Sequence, residues 1–431
     1  MRLGGRLAAA IEVLEDIETR NRPAADAMRD WGLSHRFAGS GDRAAIGNLV
    51  YGALRRKDAA AWLFGESSPR ALVLGSYLFE NGLNVDALTA SIAGDSFAPP
   101  PVTEAERANV TSKNVGEMPE IARANAPDWC LPLVQQAFGD DWVRESEALC
   151  ERPPLDLRVN TLKSTRGKVL EALEAHGAEA ARIAHHGVRI PAINGNGRHP
   201  NLQSTPAFQE GWFEVQDEGS QIVAELAGAA PGMQVLDFCA GAGGKTLACS
   251  ARMQNQGQIF AFDADPQRLQ PIHDRVQRAG CRNVQVVSQA ARLAELEGHL
   301  DLVLVDAPCT GSGTWRRRPD AKWRLTQLQL DTRMAEQAAI LDDVARYVKP
   351  GGTLAYITCS VFDQENGEQV QGFLSRNPGF RLADHAALWQ DRFPAASLNK
   401  IRTGANGGIT LSPATTGTDG FFFALLEKSV D

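Results

Sequence analysis

From residue 231 onward the sequence alternates between two periodicities, and this constrains the fold more than any other feature. "MQVLDFCAG", "QIFAFDAD", "NVQVVS", "LDLVLVDAPC" and "GTLAYITCSV" are apolar runs of strand length. Between most of them lie stretches with helical spacing, such as "DPQRLQPIHDRVQRAG" and "LDTRMAEQAAILDDVARYV". Near-continuous apolar strands have no wet face, so their sheet is covered on both sides. Alternation with helices makes that sheet parallel and the fold class α/β. Ligands of such sheets bind outside the carboxyl ends of the strands. That rule brings Gly241, Asp263, Asp306, Cys309 and Cys359 to one rim.

Two further regions precede the alternation. Residues 1 to about 95 read as a helical bundle, with Leu3, Leu7, Ile11, Leu14 and Ile17 on one helix face. In "SGDRAAIGNLVYGALRRKD", Ser40 or Asp42 is available as an N-cap. Arg55, Arg56 and Lys57 stand at the far end, where cations suit the helix dipole. The stretch "SFAPPPVTEAERANVTSKN" (96–114) is rich in Pro, Ser and Thr and reads as a linker. "PPLDLRVNTLK", "GVRIPA" and "GWFEVQDEGSQ" are strand-like, and "TRGKVLEALEAHG" is helical and ends in glycine. The organisation expected is therefore 1–140 helical with its linker, 150–230 a small α+β module, and 231–431 the parallel-sheet domain.

Composition narrows the function classes. With 44 basic against 52 acidic side chains the net charge is −8, so a nucleic-acid partner must be met by a local patch. Seven cysteines, irregularly spaced and without a Cys-x-x-Cys pair, argue for a reducing compartment rather than a disulfide framework. The eight histidines show no metal-ligand spacing, so no metal is expected. No apolar run approaches the ~20 residues of a membrane span, and the N-terminus lacks a signal-peptide core. A cytoplasmic protein without a membrane partner is expected.

Two segments carry the chemistry. "LDFCAGAGGKT" ends a strand with an acid and runs through Cys239, Ala240, Gly241, Ala242, Gly243 and Gly244 to Lys245 at the start of a helix. Asp263 closes the next strand, where an acid suits ribose hydroxyls. The spacing is neither GxGxxG nor that of a P-loop, and the loop points to a nucleoside cofactor only with the strands behind it. In the second segment, "LVLVDAPCTGSGTWRRRPDAKW", Cys309 follows a proline at a strand end, and "LAYITCSVF" sets Cys359 in a similar place. Cys130, Cys150, Cys249 and Cys281 read as small core residues. The loop "TWRRRPDAKWRLT" interleaves Trp315 and Trp323 with five basic residues, a composition suited to phosphate contact and base stacking.

"DFCAGAGGKT", "DAPCTGSGTWRRRPDAKW" and "TCSVFDQENGEQV", with "RVNTLK" and "VQDEGSQ", resemble the RNA 5-methylcytosine methyltransferases of the RsmB/NOP2/NSUN family. "GSGDRAAIGNLVYGALRR" resembles the NusB-like domain of its bacterial rRNA branch, the RsmB type. The resemblance implies a Rossmann-like class I methyltransferase domain, an RRM-like α+β module and an N-terminal all-α NusB-like domain. It implies S-adenosylmethionine as cofactor, RNA (16S rRNA above all) as partner, and a monomer. By the same resemblance Cys359 is the nucleophile and Cys309 assists product release, with Asp306 and Lys245 beside them. Cys239 to Lys245, Asp263 and Asp306 face the cofactor, and Arg158, Asn160, Arg317, Asp320 and Lys322 lie on the RNA side. Asp217 and Gln221 match the segment before the cofactor strand.

Two cysteines make chemical sense. Cytosine C5 becomes nucleophilic once a thiolate has added to C6, and the thiolate must later be expelled. One departure stands out: in "VVSQAARL", Ala290 occupies the place of an acid that in the family holds the adenine, which implies a looser cofactor site. Two alternatives remain at this level. One is the same chemistry on tRNA or another RNA. The other is a non-catalytic RNA-binding assembly or antitermination factor with a vestigial methyltransferase fold.

Overall fold

The apolar runs pair as strands of two sheets in the computed structural model, which describes residues 1–193, 195, 197, 199–403 and 407–430. The small sheet contains β1 (Leu155–Val159), β2 (Glu179–Ala180), β3 (Gly187–Ile190) and β4 (Phe213–Val215), antiparallel in the order β2-β3-β1-β4. The large sheet contains β5 (Gln234–Asp237), β6 (Gln258–Phe262), β7 (Val284–Val287), β8 (Leu300–Asp306), β9 (Val348–Thr358), β10 (Phe380–Leu382), β11 (Ile409–Leu411) and β12 (Phe421–Lys428). Its order is β10-β12-β9-β8-β5-β6-β7, with β11 paired to β12.

Strands β5 to β9 are mutually parallel where they pair, and β12 enters antiparallel between β9 and β10. From β5 the chain winds outward through β6 to β7, then returns to place β8 on the other side of β5. The switch point therefore lies between β5 and β8, where α/β sheets hold their ligands. Successive residues feed opposite faces: Leu302 and Leu304 of β8 join one core, Val303 and Val305 the other. Phe421 and Phe423 of β12 divide from Phe422 and Ala424 in the same way. Both faces are thus covered, as the unbroken apolar runs require.

Contacts divide the chain into two units: Met1–Arg152 with Ile193–Arg198 and Trp315–Leu325, and Pro153–Ala192 with His199–Thr314 and Thr326–Asp431. Both sheets lie in the second unit. Within that unit Arg189 pairs with Asp156 at 2.7 Å and Glu218 at 3.1 Å, all three buried. Breaking a buried ion pair by removing one partner costs about 3–5 kcal/mol. This triad joins β1 and β3 to the helix Glu218–Leu226.

The first unit is helical, with a core that includes Leu7, Leu14, Ile46, Val50 and Leu72. Two local expectations change. The helix Ser40–Arg55 has Gly39 at its N-cap with no side-chain cap, because Asp42 is taken by Arg6 and the N-terminal ammonium. The expected linker contains the helix Glu104–Ser112, closed by a reciprocal capping box between Thr103 and Glu106. Thr-x-x-Glu is a helix-start signal that the Pro-rich surroundings outweighed in the reading of the sequence. Among the described residues no helix is long and apolar enough to cross a membrane.

Candidate active site at the rim of the large sheet

Strand β5 ends at Asp237, whose side chain is almost fully buried. Its Oδ2 accepts from Thr246 Oγ1 at 2.6 Å, while Oδ1 is buried without a partner. Burial pushes this carboxyl up to about 7. The loop then turns through Gly243 at φ 86°, where a Cβ would lie 2.6 Å from Ile272 Cγ1, so both backbone angle and space call for glycine. Asp263, just past β6, braces this loop. Its Oδ2 accepts from the Gly241 amide and its Oδ1 from the Asp265 amide, both at 2.9 Å. Each oxygen keeps further acceptor capacity. Cys239 is half-buried, and its thiol is pushed well up by burial. Ala290 opens the short helix Ala290–Leu296 beyond β7 and is exposed.

On the other side of the switch point, Lys245 Nζ donates to Asp306 Oδ2 at 2.8 Å and stands 5.3 Å from the centre of the Phe421 ring. Lys245 is buried, whereas the Asp306 side chain is 33% exposed. The pair is therefore open from the carboxylate side.

Cys309 and Cys359 follow β8 and β9, and their sulfurs lie 3.3 Å apart as free thiols. The hydrogen bond to Cys359, followed by burial, holds the Cys309 thiol well above the usual cysteine range. Either sulfur can donate in this contact.

Main-chain bonds fix the two loops together. Gly313 N donates to Cys359 O at 2.9 Å, and Gly420 N to Gly313 O at 2.8 Å. A Cβ on Gly313 would lie 2.2 Å from Gly420 O, so no other residue fits there. Ser312 Oγ shares a hydrogen bond with Ser360 Oγ and accepts from Val361 N, each at 2.9 Å. Glu365, which the sequence reading did not single out, accepts from Thr310 N at 2.8 Å. Its signal was an acid followed by an asparagine just beyond an apolar strand.

Asn160, Arg158, Lys322 and Asp320, expected on the RNA side, are buried with partners inside the protein. Asn160 is buried, donating to Gly211 O and Ala279 O at 2.9 and 2.8 Å. Arg158 is buried too, donates to Gln216 at 2.6 Å, and is pushed down to about 10 by burial. In the helical unit Lys322 is buried, donating to Asn125 O and Arg55 O, with the Trp323 ring 4.8 Å away. Asp320 accepts from Ala24 N and pairs with Arg324 at 3.1 Å. Trp323 Nε1 donates to Leu54 O, and Trp315 is buried. Side chains that suit phosphate and base contacts also suit capping of buried carbonyls. Arg317 is half-buried. Asp217 caps the helix Glu218–Leu226 and accepts from Asp419 N.

The family model described as "16S rRNA methyltransferase RsmB/F" matches residues 226–427. A second, "Methyltr_RsmF/B-like, ferredoxin-like domain", matches 126–192. A probable ribosomal RNA small subunit methyltransferase B of Synechocystis is 30% identical over 97% of this chain and 98% of its own length. The chain belongs to the RsmB/F methyltransferase family. Ribosomal RNA small subunit methyltransferase B of Cronobacter sakazakii is 34% identical over 71% of this chain and 67% of its own. The crystal structure of PH0851 covers 99% of both chains with a TM-score of 0.72 and 26% identity. The α/β fold and S-adenosylmethionine as cofactor follow from this membership.

Proposed function

We propose that this chain methylates C5 of a cytosine in RNA, with 16S rRNA as substrate, through a covalent bond between Cys359 and C6. The observation that carries the reading is the 3.3 Å contact between the Cys309 thiol, held well above the usual cysteine range, and the Cys359 sulfur. A hydrogen bond donated to a thiolate favours the charged form. Cys309 thus supports Cys359 both when its sulfur attacks C6 and when it departs.

The rim fits S-adenosylmethionine. Gly241 and Gly243 leave the loop without side-chain bulk, Asp263 has acceptor capacity for ribose hydroxyls, and Cys239 to Lys245 line the turn into the helix. The bound cofactor supplies an electrophilic methyl group. Lys245 holds Asp306 so that the exposed part of its carboxylate can accept from the cytosine amino edge. Addition of Cys359 to C6 makes C5 enamine-like. After methylation the C5 proton is lost to a base, the C6–S bond breaks, and the electron pair returns to sulfur beside the Cys309 thiol.

The test uses labelled S-adenosylmethionine with unmodified 16S rRNA, tRNA and total RNA, followed by nucleoside analysis. Labelled 5-methylcytidine should appear from 16S rRNA, vanish with Cys359→Ala, and give way to a trapped RNA adduct with Cys309→Ala. Transfer to tRNA alone would move the substrate. Absence of both transfer and cofactor binding would favour the vestigial RNA binder, with Ala290 as first suspect.

A further inference from the structure

The two cysteine loops are held by consecutive residues. Glu365 is fully buried. Its Oε1 accepts from Thr310 N at 2.8 Å and Gln337 Nε2 at 3.1 Å, and its Oε2 accepts from Thr310 Oγ1 at 2.5 Å. Gln337 Nε2 also donates to Pro308 O at 2.9 Å. Glu365 thereby grips the residues on both sides of Cys309. Asn366 does the same for Cys359: its Oδ1 accepts from Thr358 Oγ1 at 2.5 Å and its Nδ2 donates to Ser360 O at 3.0 Å. The Tyr356 hydroxyl donates to Glu365 O at 2.6 Å and anchors the pair to β9.

Three donors on two oxygens suit a carboxylate, which brings a charge as well. No cation pairs with Glu365 among the described residues, and a buried charge without a counter-ion is costly to keep. An amide at that position would supply an acceptor for Thr310 N without the charge. What the charge adds is a negative potential beside the Cys309 thiol, which disfavours a second anion there. The raised proton affinity of Cys309 carries a contribution from Glu365.

We propose that the Glu365-Asn366 pair is a positioning clamp that selects Cys359 over Cys309 as the attacking sulfur. The proposal rests on the reading of Cys359 as nucleophile. Glu365 acts through charge, keeping the proton on Cys309. Asn366 acts through geometry, fixing Cys359 by its two neighbours. Both side chains are buried.

The decisive measurement needs neither RNA nor cofactor, so it stands apart from the methyl-transfer reading. In the Cys359→Ser background, the Cys309 peptide is followed by mass spectrometry after timed iodoacetamide labelling across pH. Glu365→Gln should move the labelling midpoint down by about one pH unit, and Glu365→Asp, which restores the charge, should return it toward the parent. A midpoint that stays or rises in Glu365→Gln overturns the proposal. If Glu365→Gln does not fold, Thr310→Val removes one donor and leaves the charge. A midpoint at or above the parent then supports the electrostatic hold, and a fall overturns it.

The second arm uses the Glu365→Gln variant with both cysteines present, S-adenosylmethionine as methyl donor and RNA containing 5-fluorocytidine, with the adducted peptide mapped. Partial transfer of the adduct from Cys359 to Cys309 is expected, and an adduct confined to Cys359 overturns the selection. No adduct in the parent protein, together with the labelling shift, would sink the methyl-transfer reading while supporting the charge hold.

Discussion

Lys245 and Lys322 are both buried ammonium groups, one in each unit of the chain. Lys245 faces a carboxylate that is one-third exposed, so its charge is neutralised by a partner that stays open to solvent. Lys322 faces the carbonyls of Asn125 and Arg55 and the face of an indole, and nothing of it is left for solvent. A carboxylate partner at a strand end makes a site, whereas carbonyl partners inside a helical core make a cap. The same residue type thus serves opposite ends, and its partners decide which.

The sharpest way to break this comparison is Lys245→Met. Transfer should fall by roughly a thousandfold, an electrostatic contribution of about 4 kcal/mol, in single-turnover assays, with only a small change in unfolding midpoint. Lys322→Met should do the reverse. It leaves two buried carbonyls unsatisfied, at about 2–4 kcal/mol of stability, read by urea denaturation, while the folded fraction keeps its cofactor affinity.

The rim also titrates. Because the Asp237 carboxyl is raised to about 7 in the folded state, that state binds the proton more tightly than the unfolded chain. Its contribution is fully present below about pH 4 and is lost as pH rises through about 7. Relative to Asp237→Asn, the parent should therefore lose thermal stability steadily between those values. Equal slopes in the two proteins would remove the burial argument.

Ala290→Asp, at the cofactor side of the rim, should tighten S-adenosylmethionine binding about tenfold by calorimetry. The smallest effect is expected at Arg318, the exposed arginine beside buried Asp320. Arg318→Ala should change stability by less than about 0.5 kcal/mol. A larger loss would mean that the whole segment, not Lys322 alone, acts as a cap.

The five parallel strands were legible because each buried strand carries its own apolar run, a local signal. Strand β12 was not read, although "FFFALLEK" is equally apolar. What defines it is pairing with residues far away, such as Phe422 with Thr358, and no local pattern encodes a partner. The cysteines were legible for the same local reason, as polarisable residues at strand ends. Glu365 was not, because its role depends on Thr310, which lies 55 residues away. The burial of Lys322 was not legible, because a basic residue between tryptophans has the same composition in a core as on an RNA surface.

Strand β12 has one more consequence, for the order of assembly. Until Phe421–Lys428 pairs with it, β9 is an open edge, and β9 is the strand that leads to Cys359. Pairings of high sequence separation are costly to close and form late. The glycine loop belongs to the parallel core and can form without β12. The Gly313–Gly420 contact that sets the Cys359 loop cannot, because Gly420 is the residue before β12. A folding chain therefore acquires the cradle for its cofactor before its two sulfurs are brought into register, and the exposed edge of β9 is its most aggregation-prone surface in that interval.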